Sequence, residues 1–172
     1  MSTLEDTFMT LVRDNDVRLQ RICQVYAADA EAQKDLYQEI LMQLWRALPS
    51  YTGGAQPGTW LYRVALNTAL GQRRTAKVRH EDHHDTLADS DVRLADDSPT
   101  PQERLEAQQR LQRLYAAIGR LGDLDKALVT LFLDDRSYRD MAQVLGISES
   151  NVGVKLHRIK KELAAWLAED DS

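Results

Sequence analysis

Between its clusters of glycine and proline, this chain carries apolar residues at three- and four-residue intervals, and that spacing restricts it to helices. Leu36, Ile40, Leu44 and Leu48 repeat every four residues, and Val152, Leu156, Ile159 and Leu163 fall at i, i+4, i+7 and i+11. Each set makes one stripe down a helix, whereas no segment sustains the two-residue alternation of a half-buried strand. Breakers gather at Pro49, Gly53, Gly54, Pro57 and Gly58, then at Pro99 and Pro101, then at Gly146. The expected fold class is all-α. Helices are expected over about 4–27, 30–48 and 59–77 in the first half, and about 101–121, 124–134, 138–145 and 149–168 in the second.

Local start signals support the second set. Thr100 can cap a helix with Pro101 at its first position and Glu103 completing a capping box; Ser137 with Asp140 repeats the box, and Ser148 before Glu149 starts the last helix. The stretch from about Arg79 to Thr100 is acidic and short of large apolar residues. From Glu81 to Glu106 there are nine acidic residues against Arg93 and Arg104. That composition reads as a flexible acidic linker, 79–100, between two small helical domains, 1–78 and 101–172.

The net charge of −5 argues against nucleic acid if taken alone. Its distribution argues the other way, because a phosphate backbone meets charge within a Debye length of about 10 Å. Arg73, Arg74, Lys77 and Arg79 form one basic cluster, and from Arg136 to Leu163 six bases stand against three acids. The start of the chain has neither a basic end nor an apolar run, so no secretory leader is expected, and no run is long enough for a membrane span. Cys23 is the only cysteine, so it can form no internal disulfide and suits a reducing, cytoplasmic setting.

The segment SYRDMAQVLGISESNVGVKLHRIKKEL has the form of a helix-turn-helix. Met141, Ala142, Val144 and Leu145 supply the buried side of its first helix, Gly146 the tight turn, and Ile147 the corner. Asn151, Lys155 and Arg158 lie on a face away from the apolar stripe, pairing an amide with two cations as base edges and phosphates require. Earlier in the chain, Trp60, Arg63, Asn67 and Arg74 share a helical face, an aromatic ring with an amide and cations, which fits single-stranded DNA.

The stretch from Asp35 to Arg74, through DLYQEI, LWRALPSY and TWLYRVALN, resembles conserved region two of extracytoplasmic-function sigma factors, and the helix-turn-helix half resembles region four of the same proteins. The resemblance implies a promoter-choosing subunit of RNA polymerase with no catalytic site, no cofactor and no metal. Its partners would be core polymerase, through the clamp coiled coil and the flap, promoter DNA and an anti-sigma factor. Asp35, Gln38 and Glu39 would dock on the clamp. Tyr51, Gln56, Trp60, Arg63 and Asn67 would take the melted minus-ten element, with Arg73, Arg74 and Lys77 on phosphates. Ser150, Asn151, Lys155, His157 and Arg158 would read the minus-thirty-five element. Two departures leave the bases open: the loop reads GGAQPG, without charged or aromatic residues, and Gly153 and Val154 stand where relatives often carry Arg or Ser.

Other readings compete. A helix-turn-helix regulator could bind DNA without polymerase, but it would need a ligand-binding or dimerising first half, and no segment has that character. A partner-sequestering protein would not need the basic stripe of the last helix. His80-Glu81-Asp82-His83-His84 matches the zinc-protease pattern, but it stands in the acidic linker with no buried face to fix its ligands.

Overall fold

In the computed structural model of the protein, residues 3–79 and 100–170 are described. Among them seven α-helices follow in order: α1 (Leu4–Tyr26), α2 (Ala30–Ala47), α3 (Pro57–Arg79), α4 (Pro101–Gly119), α5 (Asp123–Leu133), α6 (Tyr138–Leu145) and α7 (Glu149–Asp170). The expected all-α class holds, and most helix ends lie within two residues of those read from the sequence. The zinc-protease-like motif, and all of the expected linker except its end residues Arg79 and Thr100, lie outside the described residues.

The helices start where side chains satisfy otherwise unpaired N–H groups. Thr3 and Asp6 form a capping box on α1, Asp29 caps α2, and Thr100 with Glu103 boxes α4 behind Pro101. On α6 only half of the expected box is drawn: Ser137 accepts from Asp140 N–H at 3.0 Å. The Ser148 hydroxyl accepts from Asn151 N–H at 3.1 Å and so starts α7. Gly146 closes α6 at φ 68°, a left-handed conformation that costs little only without a Cβ, and its N–H returns to the Ala142 carbonyl.

The first body is α1, α2 and α3, packed pairwise around Leu19, Ile22, Cys23, Ile40, Leu44 and Leu61, none of which reaches solvent. In the second body α7 packs on α4, α5 and α6 around Ile118, Leu128, Leu131, Met141, Val152, Leu156 and Ile159. The two bodies are packed against one another. Helices α4 and α5 lie on α1, α6 lies on α3, and the apolar side chains of both form one continuous cluster. Helix α5 explains how this is possible. Residues 126–131 are all buried, so the helix is covered on every side, inwardly by its own body and outwardly by the first.

Candidate nucleic-acid interface

Helix α3 and the turn before it form a crevice. A short 3-10 turn, Leu48–Ser50, leads the chain out of α2 towards the start of α3. Across this loop the Tyr51 hydroxyl donates to the Ala55 carbonyl at 2.6 Å, and the Tyr51 ring lies 5.0 Å from that of Trp60. The two rings, Ser50, Thr52, Gly54, Ala55 and Arg63, with Gln143 of α6 opposite, line about 460 Å³ of space. Trp60 is therefore neither core nor free surface: it is half-buried, one part against the core and one part in the crevice. Arg63 bridges the crevice, its Nη2 donating to the Gln143 carbonyl at 2.7 Å. Asn67 lies one turn further along α3, exposed, and Gln56 is exposed just ahead of the helix. Arg73, Arg74 and Lys77 occupy the last turns of α3. An aromatic pair beside an amide and a guanidinium can stack an unpaired base and hold its backbone.

The second face is convex. Ser150, Asn151 and His157 are exposed on α7 and Lys155 is half-exposed, all on the side away from the buried Val152, Leu156 and Ile159. Val154 shares their side and is 70% exposed, although its apolar type gave no reason to count it among polar readers. The signal was its place one turn from Ser150 and Asn151. Gly153 faces the other way, where a Cβ would meet the Tyr138 ring of α6 at 3.4 Å. Arg158 is tied down more than its spacing suggests: its Nη2 meets Asp125 of α5 at 2.8 Å and its Nη1 meets Glu162 at 3.4 Å. Two other bases of the second body serve packing, with Arg120 at the end of α4 over the Trp166 ring at 4.2 Å and Lys160 of α7 over the Phe132 ring at 4.3 Å.

A third surface lies on α2. Asp35 and Gln38 are exposed, and Glu39 is partly so, its carboxylate accepting from Gln43 Nε2 at 2.8 Å. The same face continues into Met42 and Trp45, 45% and 43% exposed, and the Trp45 ring meets Phe8 of α1 edge-on at 5.1 Å. Met42 and Trp45 are additions to the acids expected from the sequence. The helical spacing from Asp35 already placed both apolar residues beside them. Exposed apolar residues, one of them aromatic, beside charged ones are the composition of a protein-docking surface.

The chain's two halves match two family models: Sigma-70 region 2 over residues 11–79, and Sigma-70, region 4 over residues 111–163. The chain is 28% identical over 167 residues to the ECF RNA polymerase sigma factor SigE of Mycolicibacterium smegmatis, a match covering 94% of this chain and 62% of that protein, so it spans less than two thirds of that relative's length. It is 26% identical over 161 residues to the ECF RNA polymerase sigma factor SigM of Mycobacterium tuberculosis, covering 93% and 76% of the two chains. Among solved structures, RpoE in complex with the anti-sigma factor NepR from Bartonella quintana has the same fold, with a TM-score of 0.69 at 18% identity over 95% of this chain and 96% of that one. So does CnrH in complex with the cytosolic domain of CnrY, at 0.68 and 21% over 98% and 91%. Among the described residues no group of acids, histidines and cysteines could hold a metal ion, and no helix is long and apolar enough to cross a membrane.

Proposed function

The chain belongs to the extracytoplasmic-function sigma factors, and on that premise we propose that it binds core RNA polymerase and directs it to promoters, without chemistry of its own. The observation that carries this reading is the presence of both sigma-70 regions, in order, on one chain. A regulator that acts without polymerase would have no use for region 2.

Each surface then has a task suited to its shape. The α2 face of Asp35, Gln38 and Glu39, with Met42 and Trp45 beside them, docks on the clamp of core polymerase. The α7 face reads the minus-thirty-five duplex. A duplex supplies its own groove, so the reading side chains need only project: Asn151 suits the edge of adenine, Lys155 that of guanine, Ser150 and His157 either edges or phosphates, and Val154 a thymine methyl. Arg158, held at the rim by Asp125 and Glu162, suits a phosphate. The crevice of Tyr51, Trp60 and Arg63, with Gln56 and Asn67 to either side of it, takes a base turned out of the melted minus-ten strand, and Arg73, Arg74 and Lys77 neutralise phosphates. Its relatives CnrH and RpoE were solved with protein partners, and an anti-sigma factor is the corresponding partner proposed here.

Run-off transcription with purified core polymerase tests the proposal. Promoters selected from genomic fragments by the reconstituted holoenzyme should yield transcripts only when chain and core are both present. Equal footprints on duplex DNA from the chain without core would favour the polymerase-independent regulator.

A further inference from the structure

The loop between α2 and α3 is poor in side chains, yet it is held in one shape. Thr52, Gly53 and Gly54 are exposed and Ala55 is partly buried. None of the four carries a charge or an aromatic ring, so what this stretch can offer a ligand is mainly its backbone. Two adjacent glycines make that backbone costly to order, because glycine has the most conformational freedom to lose.

The ends of the loop are anchored. Tyr51 N–H donates to the Leu48 carbonyl at 3.1 Å and the Ser50 hydroxyl to the Ala47 carbonyl at 2.7 Å, which fixes where the loop begins. Trp60 N–H donates to the Gln56 carbonyl at 3.0 Å, which fixes where α3 takes over. Between these anchors Gly53 turns the chain at φ 80°, and a Cβ there would meet no atom within 4 Å. Thr52, Gly53 and Gly54 make no hydrogen bond to any described residue. What spans the loop is a side chain. The Tyr51 hydroxyl reaches over it to the Ala55 carbonyl at 2.6 Å, while the Tyr51 ring stands 5.0 Å from the Trp60 ring. One residue therefore ties the loop both to itself and to the α3 wall of the crevice.

We propose that Tyr51 is a positioning residue, whose hydroxyl clasps the loop through Ala55 and presets the crevice to receive one unpaired nucleotide. The inference rests on reading the crevice as the single-strand site, and it assigns the hydroxyl to the protein rather than to the strand. Its ring remains available for stacking. Without the clasp, the glycine backbone would have to be ordered as the nucleotide enters, and that lost entropy would lower the affinity. With the clasp, the ordering is complete before binding. A phenylalanine at this position would keep the ring and lose the clasp.

The test uses reconstituted holoenzyme and a fork template whose minus-ten strand is unpaired. Abasic nucleotides placed one at a time along that strand locate the captured base, as the position of greatest loss for wild-type holoenzyme. Tyr51→Phe should weaken binding of the intact strand by roughly three- to tenfold, the net effect of one hydrogen bond. On a strand abasic at the captured position, wild type and variant should bind alike, and both should bind the minus-thirty-five duplex equally. Gly53→Ala disturbs the same loop through its backbone alone, since the added Cβ touches nothing, and should weaken intact-strand binding by a similar factor. Both changes loosen one loop, so the double variant should be little worse than either single variant.

Equal binding of the intact strand by wild type and Tyr51→Phe would overturn the clasp. A loss that persists in full on the abasic strand would overturn it as well, leaving the hydroxyl a structural role only. Additive losses in the double variant would give the hydroxyl to the strand itself. The absence of any sensitive abasic position in wild type would instead overturn the reading of the crevice as the strand site.

Discussion

Where α7 holds Ser150, Asn151, Val154 and His157 out in solvent, α3 turns Trp60 inward against Tyr51 and ties Arg63 to Gln143. The contrast suits what each surface is proposed to receive. A duplex brings a groove with it, so a convex helix can be displayed permanently. An unpaired base needs a concave site with rings to stack on. A concave site on one body of a two-body protein can be covered by the other.

The largest effect is expected where the first body is open. Reversing charge at Asp35 and Glu39 together, each to Lys, sets like charges against the basic clamp and should cost several kcal/mol of core affinity. Fluorescence anisotropy with labelled core measures it, and unaltered affinity would mean that α2 is not the docking face. Next comes the covered site. Trp60→Ala should lower open-complex formation by about 1–3 kcal/mol, the worth of one stacked base, and Asn67→Ala should act in the same direction. Permanganate footprinting of the minus-ten element reads both, and a pre-melted bubble template should restore part of the loss. Normal melting in both variants would move the strand site off α3.

A smaller effect belongs to the displayed face. Deoxyuridine placed for each thymine of the minus-thirty-five element removes one methyl at a time. At one position holoenzyme affinity should fall by about 1 kcal/mol, near the value of one buried carbon. Val154→Ala should remove the sensitivity at that position alone. Additive losses from the two changes would separate Val154 from the thymine. The smallest effect concerns the core beneath. Burial pushes the Cys23 thiol up to about 12, so alkylation at pH 8 should be undetectable until the chain is unfolded. The unfolded thiol ionises near pH 9 and the folded one near 12. In that window the folded chain binds the extra proton, and stability falls as pH rises. Urea titrations of Cys23→Ala should show a shallower alkaline decline than the wild type; equal slopes would show that the thiol carries none of it.

How far the sequence could be read depended on the range of the physics. Helix ends were legible because caps act over three or four residues: Thr100 with Glu103, Ser137, Ser148 and Gly146 all stand where the chain's own spacing put them. The exposed side of α7 was legible for the same reason, since one buried stripe, Val152, Leu156 and Ile159, fixes what faces out. Packing between bodies was not. Asp134 looks like any acid after a helix, Tyr62 like any aromatic on an apolar stripe, and no local pattern brings them together across 72 positions. One trace was present: Ala127, Leu128, Val129, Thr130 and Leu131 run without a polar face, and a helix apolar all round needs a second cover. Arg158 shows the converse limit, because its spacing matched the readers while Asp125, supplied by another helix, drew it to the rim.

The glycine in the middle of the recognition helix bears on how such a chain could change its regulon over generations. Gly153 weakens α7 by about 1 kcal/mol relative to alanine, yet it lets the helix settle against the Tyr138 ring. On the proposed reading, substitutions at Ser150, Asn151, Val154 or Lys155 would alter the letters read and, at exposed positions, leave the fold alone. A larger side chain at 153 would press on the Tyr138 ring, which is 43% exposed and free to swing aside. Drift in promoter preference would then run through the exposed positions of α7, and position 153 could follow them at the cost of a shifted tyrosine ring.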